Sequence, residues 1–181
     1  MRVTAYWNTR GLRGGAFEEL INLTNSLYRQ RKLAVIQKVP TPITPVAVDN
    51  ANHAITRAFF DEKSTVDYIG AVQGIPVCFE AKETGREYLP LQNVHSHQVS
   101  FMEEFTDQGG VCFILVNFRK RGEIFFLPFA EMKSKWELAR DGGRKSIPRA
   151  DFKTEYIIKN AKGFPVHYLE ALSKYLSAVP G

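Results

Sequence analysis

A chain of 181 residues, 44% of them hydrophobic, can bury one core but not two well-filled ones, so a single domain over residues 1–181 is expected. Its formal charge of +5 and pI near 9.2 favour a polyanionic partner. Met1-Arg2-Val3-Thr4-Ala5-Tyr6-Trp7 lacks the apolar core of a signal peptide, and no run of about 18 apolar residues occurs, so the expectation is a soluble, cytoplasmic protein without membrane contact. Two cysteines, Cys78 and Cys112, cannot build a structural zinc site unaided. They sit in apolar, strand-like runs where a thiol acts as a small hydrophobe.

Phe17, Leu20, Ile21, Thr24, Leu27 and Tyr28 recur at the spacing of one helical face behind the Gly14-Gly15 pair, which predicts a helix over 16–31. Leu33-Ala34-Val35-Ile36 reads as a short buried strand. Pro40, Pro42 and Pro45 then fall within six residues. Proline cannot donate to a sheet ladder, so residues 39–64 are expected to leave the sheet as a protruding arm. Strands at 66–72 and 75–81 flank Gln73-Gly74 as a hairpin. Residues 91–106 read as a helix. Val111 to Val116 is an almost unbroken apolar run, as in a central strand covered on both faces, and 123–127 pairs beside it. Helices over 130–140 and 166–178 complete an α/β fold: a central mixed β-sheet flanked by helices, with a stalk inserted at about 39–64. The stretch between those last helices opens on a polar loop, Asp141 to Ser146, and carries no clear pattern.

Glu80 and Lys82, two apart on a predicted strand, point to one face and can converge on one phosphate. The spacing alone is weak, because about one Glu-x-Lys is expected by chance in a chain of this length. Glu131-Met132-Lys133 is such a second copy, discounted because residues two apart on a helix do not face each other. Asp67 on the preceding hairpin strand gives the first copy its weight, since Mg²⁺ takes hard oxygen ligands, commonly one or two carboxylates with waters and substrate phosphate. The competing reading is an exposed hairpin whose charges merely solvate its outer face. His95 and His97 have metal-ligand spacing but no partnering cysteines. No GxGxxG or P-loop cradle occurs, so no nucleotide cofactor is implied.

The residues that carry this chemistry sit within a longer series of motifs: Arg13-Gly14, Phe17-Glu18-Glu19 with Asn22, Lys38-Val39-Pro40-Thr41-Pro42, Ser64-Thr65-Val66-Asp67-Tyr68, Phe79 to Thr84, Pro90 to Gln98, Gly110 to Phe113 and Gly143 to Ile147. In this order they resemble the RecU Holliday junction resolvases of Gram-positive bacteria, in the PD-(D/E)xK nuclease superfamily, over roughly residues 13–150. Two departures are a chain that starts almost at the first motif and Lys63 where a proline is common. The resemblance implies a homodimeric endodeoxyribonuclease of recombination and repair that cuts opposing strands of a four-way DNA junction using Mg²⁺, with Mn²⁺ as a substitute. A recombinase or branch-migration machinery would be a further partner.

Carried over by position, the resemblance makes Asp67 and Glu80 metal ligands, adds Glu18 as a third, and gives Lys82 the attacking water. Helical geometry alone does not choose between Glu18 and Glu19, and either reads equally as a first-turn acid favoured by the helix dipole. Gln98 is placed near the active site, against the alternative of a plain polar helix residue. Junction choice is expected to live in the stalk, where Phe59 and Phe60 stack on unpaired bases or, alternatively, pack on the core or a partner subunit. Arg10, Arg13, Arg29, Arg31, Lys32 and Lys38 form one basic cluster and Arg144-Lys145 another; of these, Arg13, Lys38, Arg144 and Lys145 are candidate phosphate contacts. The competing functional classes are another metal nuclease, restriction-type or nicking, and a junction-binding protein that does not cut.

Overall fold

The computed structural model describes residues 15–40, 43–49, 51–52, 54–60 and 65–178. Helix α1 (Gly15–Gln30) leads into strand β1 (Val35–Lys38), then β2 (Ile43–Asp49) and β3 (Ala54–Phe60). Strands β4 (Tyr68–Val72), β5 (Ile75–Thr84) and β6 (Tyr88–Pro90) follow, then helix α2 (Ser96–Asp107), β7 (Val111–Phe118), β8 (Glu123–Pro128) and helix α3 (Phe129–Arg140). The chain closes through β9 (Ser146–Pro148), β10 (Ile157–Ile158) and helix α4 (Tyr168–Ala178). Among the described residues no helix is long and apolar enough to cross a membrane.

The main sheet has six strands in the order β1-β4-β5-β7-β8-β10. Only β5 and β7 run parallel, joined by a crossover through α2, so the sheet is mixed as the alternation of elements predicts. Gln73 and Gly74 both take positive φ, 48° and 90°, which matches the twist of the β4–β5 hairpin and lets it close in two residues.

Period-two alternation sorts the sheet's side chains into two cores. Tyr68, Phe79, Phe113 and Phe126 face α1 and α4, their rings stacked in series at centroid spacings of 4.7, 4.7 and 4.5 Å. Cys78, Cys112, Ile114 and Val116 face the opposite side with Val99 and Met102 of α2 and Met132 of α3. The two cysteines are buried as small hydrophobes, Sγ to Sγ 3.2 Å, with Cys112 donating to the Met102 carbonyl. The neighbouring Cys112 thiol and burial in apolar surroundings push the Cys78 thiol up, so it stays protonated.

Four expectations need correction. The strand after α1 is shifted to Val35–Lys38, and it is an exposed edge strand, with Val35 57% exposed. Leu33 and Ala34, the apolar residues that suggested burial, belong to the connection that tucks under the core. The α1 stripe is rotated: Leu20 is 42% exposed, whereas Asn25 is buried because it accepts a 2.6 Å hydrogen bond from the Tyr168 hydroxyl. The helix predicted over 91–106 is broken. Leu91–Asn93 is one 3-10 turn, Val94 and His95 are extended, and α2 starts only at Ser96, where the Gln98 side chain accepts the His95 N–H as a reciprocal cap. The unpatterned stretch also holds two short strands, β9 paired with β6 and β10 paired with β8.

The stalk is a separate two-stranded sheet, β2 against β3, with register shifts between Pro45 and Val48 that absorb the proline. Every described β2 side chain except half-buried Asp49 is exposed.

Gly70 of β4 pairs with Ile36 of β1, and a Cβ there would lie 2.1 Å from the Val35 carbonyl oxygen and 2.8 Å from the Ile36 Cα. Gly70→Ala should therefore cost about 1–3 kcal/mol or more in a thermal melt and speed amide exchange selectively over Val35–Lys38. An unchanged melting temperature would show that β1 gives way without cost.

Candidate active site

Asp67 directly precedes β4, and Glu80 and Lys82 lie on β5, the three meeting where the hairpin opens. Tyr68 pairs with Phe79, which sets Asp67 against Glu80. The Asp67 N–H donates to Glu80 Oε2 at 3.0 Å, and the Ala81 N–H donates to Asp67 Oδ2 at 2.9 Å. Each acid is thus fixed by main chain at or beside the other. Glu80 is only 2% exposed, and its second oxygen, Oε1, accepts from Lys82 Nζ at 2.7 Å and Gln98 Nε2 at 2.6 Å. Gln98 Oε1 in turn takes the His95 N–H at 3.1 Å and reaches Lys82 Nζ at 3.5 Å. The glutamine stands between the start of α2 and the two β5 side chains.

Two carboxylates this close in a largely dry site disfavour each other's charge. Burial first, and then Glu80, push the Asp67 carboxyl up to about 7, against the opposing pull of the Ala81 N–H and Lys82. Charge from Glu18 on α1 adds to this.

The side chain of Glu18 is half-buried and paired with Lys38, whereas Glu19 is exposed. Glu18 is also steadied from below: the Tyr68 hydroxyl donates to Asn22 Oδ1 at 3.0 Å and lies 3.3 Å from the Glu18 carbonyl. Sequence reasoning missed this brace. Its trace is the four-residue spacing of Glu18 and Asn22, which puts both on one helix face. Among the described residues no three His, Cys, Asp or Glu side chains are gathered closely enough to cage a metal ion by themselves. Asp67 and Glu80 form a pair, with Glu18 turned to Lys38. His95 and His97 stack their rings at 5.5 Å instead of converging on a common point.

Among the candidate DNA contacts, Lys38 is engaged with Glu18 and is not a free surface cation. Phe59 is 58% exposed, with the Arg57 guanidinium 5.5 Å from its ring centroid, so it does not pack on the core. Phe60 pairs through its backbone with Ile43, and its side chain lies outside the described residues, as do Arg10 and Arg13. Arg144 and Lys145 are exposed in the connection from α3 to β9, and the Lys145 carbonyl accepts from Leu91 N–H at 3.1 Å. The Glu131 and Lys133 of the second Glu-x-Lys pair with Lys153 and Glu103 respectively on the surface of α3.

The raised Asp67 carboxyl couples folding to pH. In chelator, the folded protein holds a proton there that the unfolded chain releases above 3.8, so this contribution to stability is full below that value and drains away as pH climbs to about 7. Asp67→Asn should flatten the urea midpoint over the same window, and parallel pH profiles for the two proteins would refute the buried acid pair.

A family model described as RecU, recombination protein U, matches residues 12–174. A protein of Oceanobacillus iheyensis named Holliday junction resolvase RecU is 39% identical over 171 residues, covering 92% of this chain and 84% of its own. A namesake from Latilactobacillus sakei is 41% identical over 174 residues, covering 93% and 80%. Among solved structures, the Archaeoglobus fulgidus Holliday junction resolvase Hjc resembles it loosely, with a TM-score of 0.38 and 14% identity over 65% of this chain and 74% of its own. The chain belongs to the RecU family.

Proposed function

We propose that this protein is an endonuclease that resolves four-way DNA junctions by hydrolysing a phosphodiester bond, with Asp67, Glu80 and Lys82 as its catalytic centre. The observation that carries the reading is the mutual clasp of Asp67 and Glu80 with Lys82 at the open end of the β4–β5 hairpin, in a chain whose relatives bear the name of junction resolvases.

The donor set suits a hard divalent cation. Two carboxylates offer oxygens only, and among the described residues Lys82, on Glu80 Oε1, is the one ammonium bonded to the pair. Asp67 and Glu80 would hold Mg²⁺, or Mn²⁺ in its place, and Glu18 would join them by giving up Lys38. When bound, such an ion lowers the pKa of an attacking water and polarises the scissile phosphate.

The protein's own groups do the remaining work. Lys82, 15% exposed, is held with its ammonium between Glu80 and Gln98, where it stabilises negative charge growing on the phosphate or on the attacking oxygen. Gln98 keeps Glu80 Oε1 occupied by a neutral donor, which fixes the carboxylate without spending a second cation on it. Glu80 itself is 2% exposed, which limits water around its carboxylate.

One such centre cuts one strand, so resolution needs two, and a two-fold homodimer presents them symmetrically to opposing strands. The stalk reads junction shape, since phosphates are alike in every duplex. Phe59, exposed near its returning end, stacks on bases unpaired at the crossover.

Asp67→Asn and Glu80→Gln should abolish cleavage of a synthetic four-way junction in Mg²⁺ while leaving its gel shift intact; loss of the shift would make the acids structural. Gln98→Ala, which removes a partner of Glu80 and not a ligand, should lower activity about 10–100-fold. Phe59→Ala should weaken junction binding by about 1–3 kcal/mol with little change on linear duplex. Equal cutting of junction and duplex by the wild type would defeat the resolvase reading.

A further inference from the structure

The turn joining β7 to β8 carries Arg119, Lys120 and Arg121, all exposed, at the same end of the sheet as the candidate active site. That placement follows from the parallel pairing of β5 with β7: Lys82 is opposite Val116, Thr84 is opposite Phe118, and the Arg119 N–H continues the ladder onto the Thr84 carbonyl at 3.0 Å. Arg86 stands beside it on the β5–β6 connection, its guanidinium bonded to the Tyr88 hydroxyl at 2.8 Å and laid over that ring. Arg149 is fastened to the same rim, its N–H on the Glu87 carbonyl.

Three carboxylates are interleaved with these five cations: Glu83 with Arg119, Glu87 with Arg121 and Glu123 with Arg149. Arg149 is held by both oxygens of half-buried Glu123 at 2.7 and 2.8 Å, whereas the Arg121–Glu87 pair is exposed on both sides and, as such pairs contribute little, leaves that guanidinium able to turn to a phosphate. Lys120 has no acidic partner among the described residues, and Arg86 has only a neutral one. The rim therefore presents net positive charge on side chains held outward by a short turn. No exposed large hydrophobic side chain interrupts it among the described residues, which fits a phosphate backbone better than a protein surface.

We infer that this rim is a second DNA-contact surface, taking the phosphates of a duplex arm as it leaves the active site. Lys82 and Thr84 are about 7 Å apart along β5. Adding the reach of an arginine or lysine puts the contacted phosphates about two to four base pairs from the scissile bond, at roughly 3.4 Å per base pair. The inference rests on the proposed nuclease reading for the position of the cut, but the contact itself needs no metal and no catalysis.

The test is binding of the full chain to a four-way junction in EDTA, followed by fluorescence anisotropy as salt is raised. An Arg86→Ala, Lys120→Ala, Arg121→Ala triple variant should flatten the slope of log affinity against log salt by about 2.7, at about 0.9 for each phosphate left without its cation. A Lys162→Ala, Lys174→Ala control changes exposed cations beside the closed tip of the β4–β5 hairpin, far from the site, and should leave the slope unchanged. Junctions with neutral methylphosphonates two to four base pairs from the cut should weaken wild type and not the triple variant. If the triple variant unfolds, Lys120→Ala alone should still flatten the slope by about 0.9. An unchanged slope, or an equal effect in the control, overturns the proposal. Wild type that binds junction and duplex alike would instead fail the resolvase reading, with the rim still judged by its own slope.

Discussion

Asp67 and Glu80 are held by backbone at or beside each other, and that reciprocity depends on register. The Asp67 N–H meets Glu80 and the Ala81 N–H meets Asp67 only while Tyr68 is opposite Phe79. A slip of one residue would turn Glu80 and Lys82 to the α1 side of the sheet and bury them among aromatic rings. The stacked series Tyr68, Phe79, Phe113 and Phe126 opposes such a slip, because each ring is seated on the next across four strands. The aromatic core on one face of the sheet therefore specifies the position of the acids on the other.

The same segment roots the stalk. Lys38 ends β1 and pairs with Glu18, and the next residue, Val39, donates its N–H to the Asp67 carbonyl at 2.8 Å. The chain leaves for the stalk at that point and comes back through Val66 into Asp67, so both limbs are anchored beside the pair of Asp67 and Glu80. Tyr68 ties the returning limb to α1 through Asn22. A load on the stalk would therefore reach the segments that carry Lys38 and Asp67 directly, and Glu18 through its pair with Lys38.

Patterns of period two and 3.6 made the sheet order's main members, the hairpin turn and the four long helices legible in the sequence, though not where the second of them starts. What they hid has a physical reason in each case. Ala34 and Leu33 are apolar because they plug the core from a connection, and periodicity does not distinguish a plug from a strand. The break before α2 is a side-chain cap, Gln98 on His95, made by residue types that are not the usual capping pair. Strands β9 and β10 are two or three residues long, below the length at which alternation can be read. In the site, the meeting of Asp67, Glu80 and Lys82 was legible because Glu80 and Lys82 share one strand face and the hairpin folds Asp67 back against them. The role of Lys38 was not, since a lysine beside a proline-rich arm reads as surface charge until its partner, twenty positions earlier, is folded next to it.

Charge balance ties the pocket to its surroundings. Asp67 and Glu80 face a single ammonium, so the pocket opposes a polyanion even though the chain as a whole carries +5. The opposition is local, because exposed charges beyond about 8–10 Å are largely screened at physiological salt. Arg86 and Arg119 to Arg121 follow the ends of β5 and β7, beyond Thr84 and Phe118, so they stand outside the acid pair and are not bonded to it. A cation held between the carboxylates would then supply what the basic rim cannot, positive charge at the scissile phosphate itself. The acids must stay underneutralised by the protein for that to work, since a second buried lysine would satisfy them and leave the ion no charge to balance.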